Sequence, residues 1–347
     1  MKPRDRVLAS IDRKPFDRHP IKHLATTEVE DHLRKYFGVK THNEVLDKLG
    51  DDFREVTVEY KGPEVGNLTG DEHGIYAANV FSQTLRHFGD GSKEPLSKIK
   101  SISELKNITF PSLDWFDYSG LKKQCDEHSD YARIFDYCGL DFINSTSSVR
   151  GYEQTLMDIA TQEPVFMELI ERRFEFFYQH YEKALTAAEG GIDFIHVADD
   201  IGSQQGLLIS LDCFEKVFAD KYRAIFDLAH KHGAKTMMHV CGSIRKAIPL
   251  LMDLGLDVLD VVQTNAVDMK LEDLKKDVQG KLTFAGTMCV QEILPFKSPE
   301  KIREEVRKRL DLFSDGGLII GPSHQIQTDT PIENILAMYA EAGRLKE

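Results

Sequence analysis

The chain has 347 residues, a net charge of −13, and a composition that is 41% hydrophobic and 29% charged. The acidic balance argues against a phosphate-backbone partner, so nucleic acid is not expected, and the composition is that of a globular chain rather than a disordered one. No apolar run approaches the ~20 residues that span a bilayer, and the opening stretch MKPRDRVLASIDRKPFDRHPI is charged throughout, without the apolar core of a secretory signal.

The five cysteines are Cys125, Cys138, Cys213, Cys241 and Cys289. An odd number in a chain this long does not read as a disulfide framework, and reduced thiols in the cytoplasm are the expectation. A domain of ~300 residues buries about 75% of the surface its unfolded chain exposes, so stability requires no covalent staple.

In chain order, short apolar runs ending in polar residues or glycine occupy 19–25, 53–60, 134–142, 194–200, 236–242, 258–264, 282–288 and 318–323. Between them lie helical patterns. Residues 211–232 carry apolar positions at helical spacing and stop at Gly233; 244–254 stop at Gly255; 298–312 open with Ser298 as cap and Pro299 in the first turn. Strand and helix alternating at this rhythm imply parallel pairing with right-handed crossovers. Eight such units predict an α/β fold, a (β/α)8 barrel, in one domain over 1–347. An open doubly wound sheet is the alternative, but the chain has no glycine-rich dinucleotide fingerprint. Residues 61–130 break the rhythm and read as a loop-rich insertion near the barrel mouth, after the second run.

Three clusters at run ends could carry chemistry. In KTMMHVCG, His239 and Cys241 are two apart, so on a strand their side chains point the same way. An imidazole beside a thiolate suits zinc. With 13 His and five Cys in the chain, chance alone supplies roughly 0.2 such pairs, so position at a strand end matters more than the pattern. A metal site and a packed histidine beside an inert thiol both remain open. In HVADD, Asp199 and Asp200 are costly if buried and can orient a substrate, serve as acid or base, or cap a helix. In GPSHQIQ, His324 can complete a metal site, donate to an oxyanion, or be structural. Gln263 and Cys289 end two further runs; Gln263 faces the mouth in this arrangement, and Cys289 is a soft ligand or, more simply, a packed thiol.

The stretches PRDRVLASIDRKPFDRHPI, HVCGSIRKAIPLLMDLGLDVLDVVQTNA, LTFAGTMCVQEILPFKSPEKIREEVRKRL and GLIIGPSHQIQTDTPIENILAMYAEA resemble the uroporphyrinogen decarboxylase superfamily. The resemblance spans almost the whole chain and is specific in the last ~120 residues. It implies a (β/α) barrel and one of two chemistries. One is cofactor-free decarboxylation of a polycarboxylate. The other is zinc-dependent methyl transfer between a methylcorrinoid, carried by a corrinoid protein, and a small-molecule thiol, as in demethylation pathways. The decarboxylases hold their substrate with an R-Q-A-G-R segment, which HLATTEVEDHLRKYFG lacks. The methyltransferases bind zinc through H-x-C and a distant cysteine near the eighth strand. His239 and Cys241 match the pair, and His324 stands at the third position. A histidine there makes the site harder and less negative, and GPSHQIQ resembles a subgroup whose substrates are unassigned. The resemblance thus favours a zinc-dependent methyltransferase of corrinoid-linked one-carbon metabolism, with Asp199, Asp200 and Gln263 positioning the substrate. A metal-free decarboxylase or lyase, or a non-catalytic barrel that partners a corrinoid protein, are the alternatives.

Overall fold

The computed structural model describes residues 1–66, 68, 75–89 and 92–343. Nine strands are found there: β1 (Phe53–Val56), β2 (Glu59–Tyr60), β3 (Phe116–Asp117), β4 (Ala132–Phe135), β5 (Phe194–Ala198), β6 (Lys235–His239), β7 (Val258–Asp260), β8 (Thr283–Ala285) and β9 (Leu318–Ile319). Seven form one parallel sheet in the order β1-β4-β5-β6-β7-β8-β9. Their residues are buried on nearly every position, as a sheet covered on both faces requires.

The sheet closes through the first apolar run, which is not a regular strand. Ile21 bridges Ile320 in parallel and Ala25 bridges Ile326. The Lys22 amide donates to the Ile320 carbonyl at 2.9 Å, and the Ile320 amide to the Pro20 carbonyl at 2.8 Å. On the other side the Asp52 amide donates to the Ile21 carbonyl at 2.9 Å. The Ile21 amide donates to Asp52 Oδ2 at 2.8 Å rather than to a strand. Segment 20–22 is therefore the eighth stave of a (β/α)8 barrel, wedged between β9 and β1. A Cβ at Gly321 would collide with the Lys22 carbonyl oxygen, so this seam needs a glycine.

The barrel is filled at one level by Phe53, Ala132, Ile134, Phe194, Met237, Val258, Ala285 and Ile319, with Val7 of the helix Pro3–Ile11 packed on them. Side chains two residues further along a strand point the same way. Above this apolar floor the interior positions are thus Glu55, His196, His239 and Asp260, a polar layer facing the C-terminal ends of the strands.

Helices Pro299–Leu312 and Ile248–Leu254 cover the outside much as the sequence predicts; Ser298 accepts from the Lys301 amide, and Pro299 opens its helix. The pattern at 211–232 is helical with a π-turn over Glu215–Ala219. A 24-residue helix, Pro164–Ala187, went unpredicted. Glu163 caps it by accepting from the amides of Val165 and Phe166. Its inner face buries Arg173 and His180 among phenylalanines, which obscures the apolar stripe. The insertion between β1 and β4 is less loop-like than expected. It contains the antiparallel pair β2–β3 and, between the two strands in sequence, the helix Ala77–His87. Residues 67, 69–74, 90 and 91 of it lie outside the described residues. No helix among the described residues is long and apolar enough to cross a membrane.

Two buried carboxylates tie the chain ends to the barrel. Asp52, fully buried, takes Arg6 at 2.6 Å and Arg18 at 2.8 Å besides the Ile21 amide. Glu30 takes His23 Nε2 at 2.8 Å and His42 Nδ1 at 3.0 Å, and His23 Nδ1 pairs with the Tyr339 hydroxyl at 2.8 Å. Asp52→Ala strands two partly buried guanidinium groups and opens the seam. It is expected to cost about 3–5 kcal/mol of unfolding free energy, measured by urea titration. Burial raises the Glu30 carboxyl, but His23 and His42 outweigh it and hold it at about 2, below the ordinary 4.5. Its contribution is therefore complete above pH 4.5 and lost as pH falls towards 2. Glu30→Gln should destabilise by about 1.5–3 kcal/mol at pH 7. The gap from wild type, followed by urea unfolding at stepped pH, should narrow below pH 4.5; a gap constant across that range would contradict the assignment.

Candidate metal centre

The run Lys235–His239 places Met237 in the apolar floor and His239 in the polar layer above it. Beyond the strand the ladder persists for one residue, the Val240 amide donating to the Asp260 carbonyl at 2.9 Å. The chain then turns under three constraints. The Cys241 amide donates to Asp200 Oδ1 at 2.9 Å, and the Gly242 amide donates to Gln263 Oε1. Gly242 has φ +87°, and a Cβ there would lie 2.7 Å from the backbone of Gly202 and of Ser203. Only glycine allows the loops after β5 and β6 to meet this closely. Past β9, the Ser323 amide donates to the Met288 carbonyl at 2.8 Å, and the Val290 amide donates to Ser323 Oγ at 3.3 Å. Those bonds bring His324 over the mouth.

His239, Cys241 and His324 converge as a result. One ligand atom from each lies within 4.8 Å of the others. His239 Nε2 is 3.3 Å from Cys241 Sγ, and the two imidazoles meet edge to face with centroids 5.5 Å apart. Burial lowers the His239 pKa to about 4, so its ring is neutral at physiological pH. Burial, with Asp200 adding to it, pushes the Cys241 thiol well above its ordinary value. His239 Nδ1 is buried without a hydrogen-bond partner. Two imidazoles and a thiol, with the His239 ring neutral and its Nε2 turned towards Cys241, fit a borderline-soft cation such as zinc and leave a coordination position open.

The remaining sequence-predicted residues divide by role. Asp200 is half-buried, and its second oxygen accepts from Asn144 Nδ2 at 3.1 Å. Gln263 is buried behind Gly242. Both hold the backbone that presents Cys241. Asp199 is fully buried and points away from the mouth. It accepts from the Ile143 amide at 2.9 Å and the Tyr222 hydroxyl at 2.7 Å. Burial and the neighbouring Asp141 raise its carboxyl pKa. It anchors the helix Ile143–Arg150 to the end of β5. Cys289 is buried outside the His–Cys–His group.

Sequence reasoning missed a second cluster beside the first. Asp260 Oδ2 accepts from Lys22 Nζ at 3.0 Å and His196 Nε2 at 3.0 Å, and the Tyr137 hydroxyl lies at 3.5 Å. The Cys138 amide donates to His196 Nδ1 at 2.8 Å, so the proton of that ring sits on Nε2. Tyr137 stacks on His196 with centroids 4.3 Å apart. Burial alone would raise the Asp260 carboxyl, but Lys22, His196 and His239 outweigh it and hold it well below the usual carboxylate range. The available signal was spacing: Phe194 to His196 and Val258 to Asp260 repeat the two-residue step from Met237 to His239. A cleft of about 410 Å³ opens beside this cluster. Lys22, Tyr137, Glu55, Tyr76 and Gln325 are among its walls, and Gln325 adjoins His324.

Among solved structures, the fold is similar to that of a methyltransferase from Methanosarcina mazei. The match has a TM-score of 0.68 and 17% identity, over 99% of this chain and 98% of that one. Weaker likenesses include a family 2 AP endonuclease from Brucella melitensis (TM-score 0.37, 14% identity, 66% of this chain and 85% of that one). Another is the 3-keto-D-glucoside 4-epimerase YcjR from E. coli (TM-score 0.39, 14% identity, 65% and 86%). Neither of these two bears on function. No curated protein sequence matches the chain. The pattern described as Uroporphyrinogen decarboxylase (URO-D) matches residues 143–345, which take in β5 to β9 and every residue of the His–Cys–His group. The chain belongs to the uroporphyrinogen decarboxylase family.

Proposed function

We propose that the protein is a zinc-dependent methyltransferase that moves a methyl group from a methylcorrinoid, presented by a corrinoid protein, to a small-molecule acceptor. The observation that carries this reading is the meeting of His239, Cys241 and His324 at the C-terminal mouth of the barrel, the face where barrel enzymes place their chemistry. The likeness in fold to the Methanosarcina methyltransferase, over nearly the whole of both chains, supports it.

Bound by these three side chains, zinc supplies the positive charge that keeps an acceptor thiol deprotonated and nucleophilic at neutral pH. The protein's own contribution is placement. The neutral His239 ring offers a lone pair. Asp200 and Gln263 fix the Cys241–Gly242 backbone through its amides. The cleft takes the acceptor, with Lys22 and Tyr137 among its walls. In transfer the acceptor sulfur forms a bond to the methyl carbon, and the corrinoid leaves with the electron pair of the broken cobalt–carbon bond.

Protein purified without a histidine tag after zinc-replete expression should carry one zinc per chain by elemental analysis. Cys241→Ser should lose affinity by more than the ~10–100-fold that outer-shell changes cost, because a hydroxyl is a poor replacement for a thiolate. His324→Ala should lose less. The loaded protein should consume methylcobalamin in the presence of a suitable thiol. Absence of stoichiometric zinc would turn the reading to metal-free decarboxylation of a polycarboxylate. Gly242→Ala, which forces the 202–203 backbone away, should lower zinc affinity while each ligand is still present; unchanged affinity would show that this loop contact does not set the site.

A further inference from the structure

Two buried polar atoms in the barrel lack partners and sit on neighbouring strands: His239 Nδ1 and Asp260 Oδ1. His239 and Asp260 are register partners on β6 and β7, and both belong to the polar layer above the apolar floor. Their hydrogen-bonding characters are complementary. His239 turns Nε2 towards Cys241 Sγ, so Nε2 is the nitrogen on the metal side. With Nε2 committed there, Nδ1 carries the proton, and a buried N–H needs an acceptor. Asp260 is an ionised carboxylate and can only accept. Its Oδ2 is already fixed by Lys22 Nζ, His196 Nε2 and the Tyr137 hydroxyl. His196 cannot turn round to relieve this, because the Cys138 amide holds its other nitrogen. The carboxylate is thus locked by one oxygen and leaves the other bare.

We propose that Asp260 is the positioning residue of the metal centre, its Oδ1 accepting the Nδ1–H of His239 when Nε2 is bound to metal. This rests on the metal reading above. The bond fixes the tautomer and plane of the ring and strengthens Nε2 as a ligand.

Asp260→Asn is a sharp test because of how Oδ2 is held. Lys22 and His196 both donate, so they keep the amide oxygen on their side, and the amide NH2 is left facing Nδ1–H. Two donors then oppose each other. In the full-length protein, zinc affinity measured by competition with a chromophoric chelator should fall about 10–100-fold, with folding of the metal-free variant confirmed by thermal melting. Wild-type protein loaded with zinc and labelled with ¹⁵N-histidine should show a His239 Nδ1–H resonance protected from solvent exchange, a signature that a merely structural Asp260 would not give. If wild type takes up zinc but folded Asp260→Asn binds it within twofold as tightly, Asp260 has no positioning role and the metal reading stands. A freely exchanging Nδ1–H in the loaded wild type overturns the inference even if the variant does not fold. If wild type takes up no zinc, both fall.

Discussion

The fold depends on a seam. A parallel barrel has no free edge only if its first and last staves meet, and here the first stave is three residues long. Pro20 has no amide to give, and the Ile21 amide is spent on a side chain. Asp52 compensates by using both its backbone and its carboxylate on Ile21, while Arg6 and Arg18 neutralise it from below. Once that joint is made, Lys22 follows directly and points into the barrel, where it reaches an aspartate 238 residues away. The electrostatics of the mouth are therefore set by the closure of the sheet.

Within the barrel the division between support and chemistry follows strand period. β1, β5, β6 and β7 each give one apolar residue to the floor and, two positions later, one polar residue to the layer above it. Desolvation at that level would be costly for isolated charges. The fully buried carboxylate of that layer, Asp260, is surrounded by an ammonium, an imidazole N–H and a phenol. Asp199 shows the other solution: it is removed from the mouth altogether and used to pin a helix.

What could be read from the sequence follows the same division. β6 and its ending were legible because an unbroken apolar run stops at H-x-C, and the resemblance in the last third of the chain added His324. The run at 134–142 was misplaced. The strand begins at Ala132, where Arg133 is satisfied by Asp193 at 2.8 Å and so hides the apolar signal. Its second half is loop, with Asp136 and Cys138 both at positive φ. Of the Lys22–Tyr137–His196–Asp260 cluster only His196 and Asp260 carry a local signal, the two-residue step from the floor. Their meeting with Lys22 and Tyr137 exists only through register across four staves, and nothing local marks Lys22 as a member.

The apolar floor of Phe53, Ile134, Phe194, Met237, Val258 and Ile319, sealed beneath by Val7, makes the barrel a blind well. Among the described residues nothing opens towards His239 from below, so whatever visits it comes by way of the mouth. For the methyl transfer proposed above this makes a problem of traffic: the small partner has to be seated in the side cleft, out of the way, before the large one docks across the rim.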